Sequence, residues 1–123
     1  MLQIAPQMRI MLYVEPVDFR QGIDGLSGIL RNQLGENPFS GSVFIFLNKG
    51  KTAIKVLCYD GQGFWLCQKR LSQGRFKWWP GRCKEASLRL LVHEMTLLLW
   101  NGDPKRGGFK QTTQMFHKVL RKH

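Results

Sequence analysis

The sequence is short of cysteine, of long apolar runs and of acid in its second half, and each shortage excludes something. No apolar stretch approaches the ~20 residues that a membrane-spanning helix needs. No basic flank followed by an apolar core opens the chain, so no signal peptide is expected. Cysteine occurs at Cys58, Cys67 and Cys83 only. That odd, small number fits reduced thiols in a cytoplasmic protein better than a disulfide framework. No C-x-x-C pair exists, and Cys58, Cys67, Cys83 and His93 are too widely spaced for a recognisable zinc motif. No G-x-S-x-G occurs, and His93, His117 and His123 are the only histidines that could serve a nucleophile. A metal-dependent nuclease would need several carboxylates to converge. The candidates are Asp18, Asp24, Asp60, Glu85, Glu94 and Asp103, of which Asp18, Asp60 and Asp103 already have uses as a cap, a turn and a helix end. No metal, no cofactor and no catalytic residue is therefore expected, and the chain is read as not an enzyme.

What is present is positive charge. The 123 residues carry 19 Lys and Arg against 8 Asp and Glu, a net charge of +11. Residues 1–48 hold three bases (Arg9, Arg20, Arg31) and four acids, whereas residues 49–123 hold sixteen bases and four acids. So lopsided a charge on so small a body projects a strong positive field, whose default partner is a polyanion. The length suits one domain with one core.

The periodicities predict an α+β fold: a small antiparallel meander with one packed helix, followed by a C-terminal helix and a basic tail. Met8 to Val14 reads as a strand closed by Glu15-Pro16. Asp18 then looks like a helix N-cap, with Gln21 three residues on as in a capping box. Phe19, Ile23, Leu26, Leu30 and Leu34 form one helical face, and Gly35 suits its left-handed end. Gly22, Gly25 and Gly28 suggest that this helix lies close against another backbone. Strands are expected over 42–47, 52–59 and 64–71, joined by Asn48-Lys49-Gly50-Lys51 and by the hairpin signal Asp60-Gly61-Gln62-Gly63. The first of the three is apolar on both faces, which suggests a central, covered position. A fourth short strand is expected over Arg75–Pro80, and a helix over 86–100. On that helix Leu90 and Leu97 widen the apolar stripe, which suggests a second contact such as a homodimer. The expected organisation is one domain over 1–104, with its core at 8–80 plus helix 86–100, and a basic tail over 105–123.

The densest functional signal spans 69–84. Lys69, Arg70, Arg75, Lys77, Arg82 and Lys84 place six cations in sixteen residues with no acid among them. Cations neutralise phosphates and release counterions. The interleaved Trp78 and Trp79 could stack on unpaired bases. Core or edge packing is the simpler reading for these rings, and phosphate contact is the reading adopted for the cations. The pattern names a polyanion and no base sequence, since no zinc finger, homeodomain, basic zipper or RNP1 motif is present.

Several motifs together resemble a known family. They are Glu15-Pro16-Val17-Asp18-Phe19-Arg20-x-Gly22-Ile23-Asp24-Gly25-Leu26 and Asn37-Pro38-Phe39-Ser40-Gly41-Ser42-Val43-Phe44-Ile45-Phe46. Further along come Ile54-Lys55-Val56-Leu57-x-Tyr59-Asp60-Gly61-x-Gly63-Phe64, Lys69-Arg70-Leu71 and Gly74-Arg75-Phe76-x-Trp78. The chain resembles the short accessory protein, Orf2 or TnpB, of insertion sequences of the IS-sixty-six type, which is unrelated to the RNA-guided nuclease sharing the latter name. The resemblance covers residues 8–80. Leu98-Leu99-Trp100-Asn101-Gly102-Asp103 is similar to a further family stretch, with one extra residue before the glycine. The resemblance implies an accessory role in DNA transposition beside the element's separate transposase, with no established catalytic activity, and with the basic charge it leads to the expectation that the chain binds DNA, the transposase or both. It assigns no job to Asp18 or Arg20. Other readings of the residues stay open: a module for RNA or single strands, a small metal-dependent nuclease, or an adaptor between proteins.

Overall fold

The computed structural model describes residues 7–81 and 85–101. Its elements are β1 (Ile10–Tyr13), α1 (Ile23–Leu34), β2 (Val43–Leu47), β3 (Ala53–Tyr59), β4 (Phe64–Arg70), β5 (Ser87–Leu90) and α2 (Val92–Leu99). The strands form one five-stranded sheet in the order β4-β3-β2-β1-β5. Only β1 and β2 run parallel, because the connection between them contains α1; every other neighbouring pair is antiparallel. The α+β class and the meander β2-β3-β4 are as the sequence predicts.

Alternation along the strands divides the core between the two faces of the sheet. Val43, Ile45 and Leu47 join Ile54, Val56, Met95 and Leu98 on one face. Phe44 and Phe46 join Leu57, Leu26 and Leu30 on the other. β2 is buried along its whole length, as expected for a covered central strand. The two helices thus cover opposite faces, α1 one and α2 the other.

Four expectations need correction. First, Asp18 does not cap α1. The helix begins at Ile23, with Gly22 as the cap residue in extended conformation and no side-chain cap bond. The Asp18 carboxylate is engaged by Arg20 instead. Gly35 does end the helix, at φ 62°. Second, the α1 glycines do not mark a close backbone approach. A Cβ on Gly22 or Gly28 would meet no atom within 4 Å, and on Gly25 it would meet only the Gln21 side chain. Leu26 and Leu30 are what α1 buries against Phe44, Phe46 and Leu57 of the sheet.

Third, Arg75–Pro80 forms no strand; its chain is irregular. Fourth, the helix expected over 86–100 is a strand followed by a shorter helix. β1 has two edges, and β5 pairs the one that β2 leaves open, with Ile10 opposite Leu90 and Leu12 opposite Leu88. Leu88 and Leu90 fit an alternating strand as well as a helical stripe. Leu90 and Leu97 are both 2% exposed, in the protein's own core, so they offer no surface to a second copy. The expected tail 105–123 lies outside the described residues, as does His117.

Candidate nucleic-acid interface

The β3–β4 register brings the cations together. Ala53 lies opposite Arg70, so the end of β4 sits beside the β2–β3 turn. The Leu71 amide donates to the Thr52 carbonyl at 2.9 Å, and the Phe76 amide to the Lys51 carbonyl at 2.8 Å. These bonds dock the 71–77 segment against the turn. Lys49, Lys51, Lys69, Arg70, Arg75 and Lys77 therefore share one end of the sheet, and all six are exposed. The turn itself is held by Asn48, whose side-chain oxygen accepts from the amides of Thr52 (2.8 Å) and Ala53 (3.1 Å). Lys51 is kept at φ 59°, a left-handed conformation rare for a residue with a side chain.

Lys69, Arg75 and Lys77 also tie the site to the end of α2. The Lys69 ammonium donates to the Leu99 carbonyl at the C-terminus of α2 and sits 5.9 Å from the centre of the Trp100 ring. A cation there complements the free carbonyls and the negative end of the helix dipole. Asn101, just beyond α2, accepts from the Lys77 amide at 2.7 Å and donates to the Arg75 carbonyl at 3.2 Å. The end of α2 is thus fastened to the basic segment.

Among the expected site residues, Lys69, Arg70, Arg75 and Lys77 come together in this way. Trp78 and Trp79 are partly buried and pack against the core beside Phe76, which is 4% exposed. The Trp79 indole N–H also donates to the Val14 carbonyl at 2.8 Å. Both rings thus have a packing use. Arg82 and Lys84 lie outside the described residues. Lys49 and Lys51 are additions that the sequence reading treats only as a turn. The signal for them was the turn's place in the meander: a hairpin register that pairs 53 with 70 puts 49–51 next to the basic segment.

Among the described residues two acids come near this end: Glu15 lines a pocket with Lys51 and Trp79, and Asp18 lines one with Lys49. Val17 bridges to Asn48, which brings Asp18 alongside the turn. Its carboxylate accepts from the Arg20 guanidinium at 2.6 Å and from the Arg20 amide at 2.9 Å. Those bonds, with Lys49 adding a smaller attraction, hold the Asp18 carboxyl down at about 2. Asp60 is also held low, by the Gln62 and Gly63 amides first and then the Trp65 indole, but it lies at the other end of β3 and β4. Glu94 is buried and accepts from the Leu91 amide at the start of α2. Among the described residues no three carboxylates converge. No group of three His, Cys, Asp or Glu able to hold a metal occurs among the described residues. The buried Cys58 thiol is pushed up by burial, then by the charges of Asp60 and Cys67. No helix of the described residues is long and apolar enough to cross a membrane.

Comparison with known proteins places this geometry in context. Residues 8–107 match a family model described as IS66 Orf2 like protein. Uncharacterized protein y4jC of Sinorhizobium fredii (strain NBRC 101917 / NGR234) is 34% identical over 92 residues, covering 75% of this chain and 77% of that protein. Uncharacterized protein y4hO of the same organism is 35% identical over 78 residues, covering 63% of this chain and 68% of that protein. No solved structure matches the chain.

Proposed function

Since the chain belongs to the IS66 Orf2-like family of insertion-sequence accessory proteins, we propose that it assists transposition in the cytoplasm by binding the element's DNA through its basic sheet end, together with the separate transposase and without catalysis of its own. One observation carries the DNA reading. Cations from three stretches of chain, 49–51, 69–70 and 75–77, are assembled at one end of the sheet by backbone hydrogen bonds and by Asn101. A merely solvated charged face needs no such bracing. Phosphate contacts carry no base information, so this surface positions the protein on DNA without reading its sequence.

The salt dependence of duplex binding tests the proposal. Each neutralised phosphate contributes about −0.9 to the slope of log affinity against log salt. Changing Lys51, Arg70, Arg75 and Lys77 together to Gln is expected to flatten the slope by about three to four units, alike for unrelated duplexes. A variant that keeps the parent's slope overturns this surface as the contact. Cleavage of DNA that appears with added magnesium and disappears with EDTA overturns the non-catalytic part.

A further inference from the structure

The rings that the sequence offers for stacking, Trp78 and Trp79, are partly buried and packed against the core. Two other tryptophans are exposed. Trp65 is 38% exposed on β4, and Trp100 is 56% exposed immediately after α2. Trp65, Cys67 and Lys69 alternate along β4 and so share the sheet face that α2 covers elsewhere. α2 leaves this outer row open, since Cys67 and Lys69 are exposed. Trp65 and Lys69 are four residues apart, about 13 Å along a strand. Lys69 in turn lies over Trp100. The row therefore reads ring, cation, ring, and it runs into the cationic end of the sheet.

From this juxtaposition we infer that Trp65, Lys69 and Trp100 form a binding track for single-stranded nucleic acid, in which the two indoles stack on bases and Lys69 takes a phosphate between them. This rests on the nucleic-acid reading above and adds to it the strand state of the ligand. A duplex keeps its bases stacked on one another and offers these rings nothing, whereas an unpaired strand offers a π-face at every base. Charge selects a polyanion over an apolar protein partner. No acid occurs between Asp60 and Glu85, the stretch that contains both β4 and the 71–77 segment. Asp60 marks the far end of the track. Its carboxylate accepts the Trp65 indole N–H at 2.8 Å, which fixes the edge of that ring at the β3–β4 turn. The phosphates then run from Lys69 toward Arg70, Arg75 and Lys77.

The test compares a short thymidine oligonucleotide with a duplex of the same length, at one salt concentration, by affinity and by quenching of tryptophan emission. The parent is expected to bind both, with strong quenching only by the single strand. Trp65→Leu combined with Trp100→Leu is expected to lose about tenfold or more in affinity for the oligonucleotide, because stacking contributes roughly 1–3 kcal/mol per base. Its affinity for the duplex is expected to stay within about twofold, since the phosphate contacts remain. Trp100→Leu alone keeps the Trp65–Asp60 bond, and it is expected to lose part of the quenching without loss of fold. Equal losses on both ligands, or no loss on the oligonucleotide, overturn the track. A parent that binds the duplex and ignores the oligonucleotide overturns the track but leaves the proposed DNA surface standing. A parent that binds neither overturns both.

Discussion

Lys55 sits within β3 and is 7% exposed, yet its ammonium has acceptors. Its ammonium donates to the carbonyls of Phe19 (2.9 Å) and Gln21 (2.8 Å) and lies 4.8 Å from the centre of the Phe19 ring. It thereby holds down the loop that leads into α1. Lys55→Met keeps the stem's volume but strands two carbonyls, so a loss of about 2 kcal/mol is expected in urea denaturation. Asp18, in the same loop, gives a pH effect whose sign is fixed. Its carboxyl titrates at about 2 instead of the ordinary 3.8, chiefly through the Arg20 bonds. A depressed carboxylate contributes stability above its ordinary range and loses that contribution as pH falls through 3.8 toward about 2. In NMR titration Asp18 is expected near 2. Arg20→Gln is expected to return it toward 3.8, with the two proteins equally stable at the acid end of that window. Neither role was legible in the sequence. Asp18 carries the spacing of a cap, but its partner Arg20 lies before the helix begins. Lys55 is tied to carbonyls 34 and 36 residues back, which only the packed fold brings near.

Among the elements, β1 to β4 could be read from short apolar or β-rich runs and the turn residues that bound them, since those signals are local. β5 could not. Ser87-Leu88-Arg89-Leu90 satisfies two periods at once, and the choice between them is made by the free edge of β1, far away in sequence. The same ambiguity led from Leu90 and Leu97 to a partner surface that the structure fills with core. Two neighbouring leucines separate the readings. Leu90 is 2% exposed and Leu91 is 58% exposed. Leu90→Ala is expected to cost about 3 kcal/mol, the usual scale for a buried leucine. Leu91→Ala is expected to change stability by less than about 0.5 kcal/mol, as surface substitutions do. A helix with a contact stripe through Leu90 would give a small loss for Leu90 in the monomer. As for the basic site, the sequence showed that cations cluster in 69–84, but not that a turn twenty residues earlier completes the cluster.

For the molecule as a whole, stability should be graded across the sheet. β2 is buried along its full length and flanked by strands on both sides, whereas β5 holds its place with four residues at one edge. Amides of Phe44, Ile45 and Phe46 are accordingly expected to exchange slowest with solvent, at the rate set by global unfolding, and those of β5 much faster. Hydrogen exchange followed residue by residue checks this ordering. The strand order also has a consequence for the birth of the protein. β1 begins at residue 10 and its outer partner β5 only at residue 87. At about 5–20 residues per second, the ribosome takes roughly 4–15 s to make the chain between them. Once β2 has paired, the nascent protein still carries β1 with one edge bare until β5 is made, the kind of edge that recruits stray strands. Among the described strands, the one that seals it is the last to be synthesised.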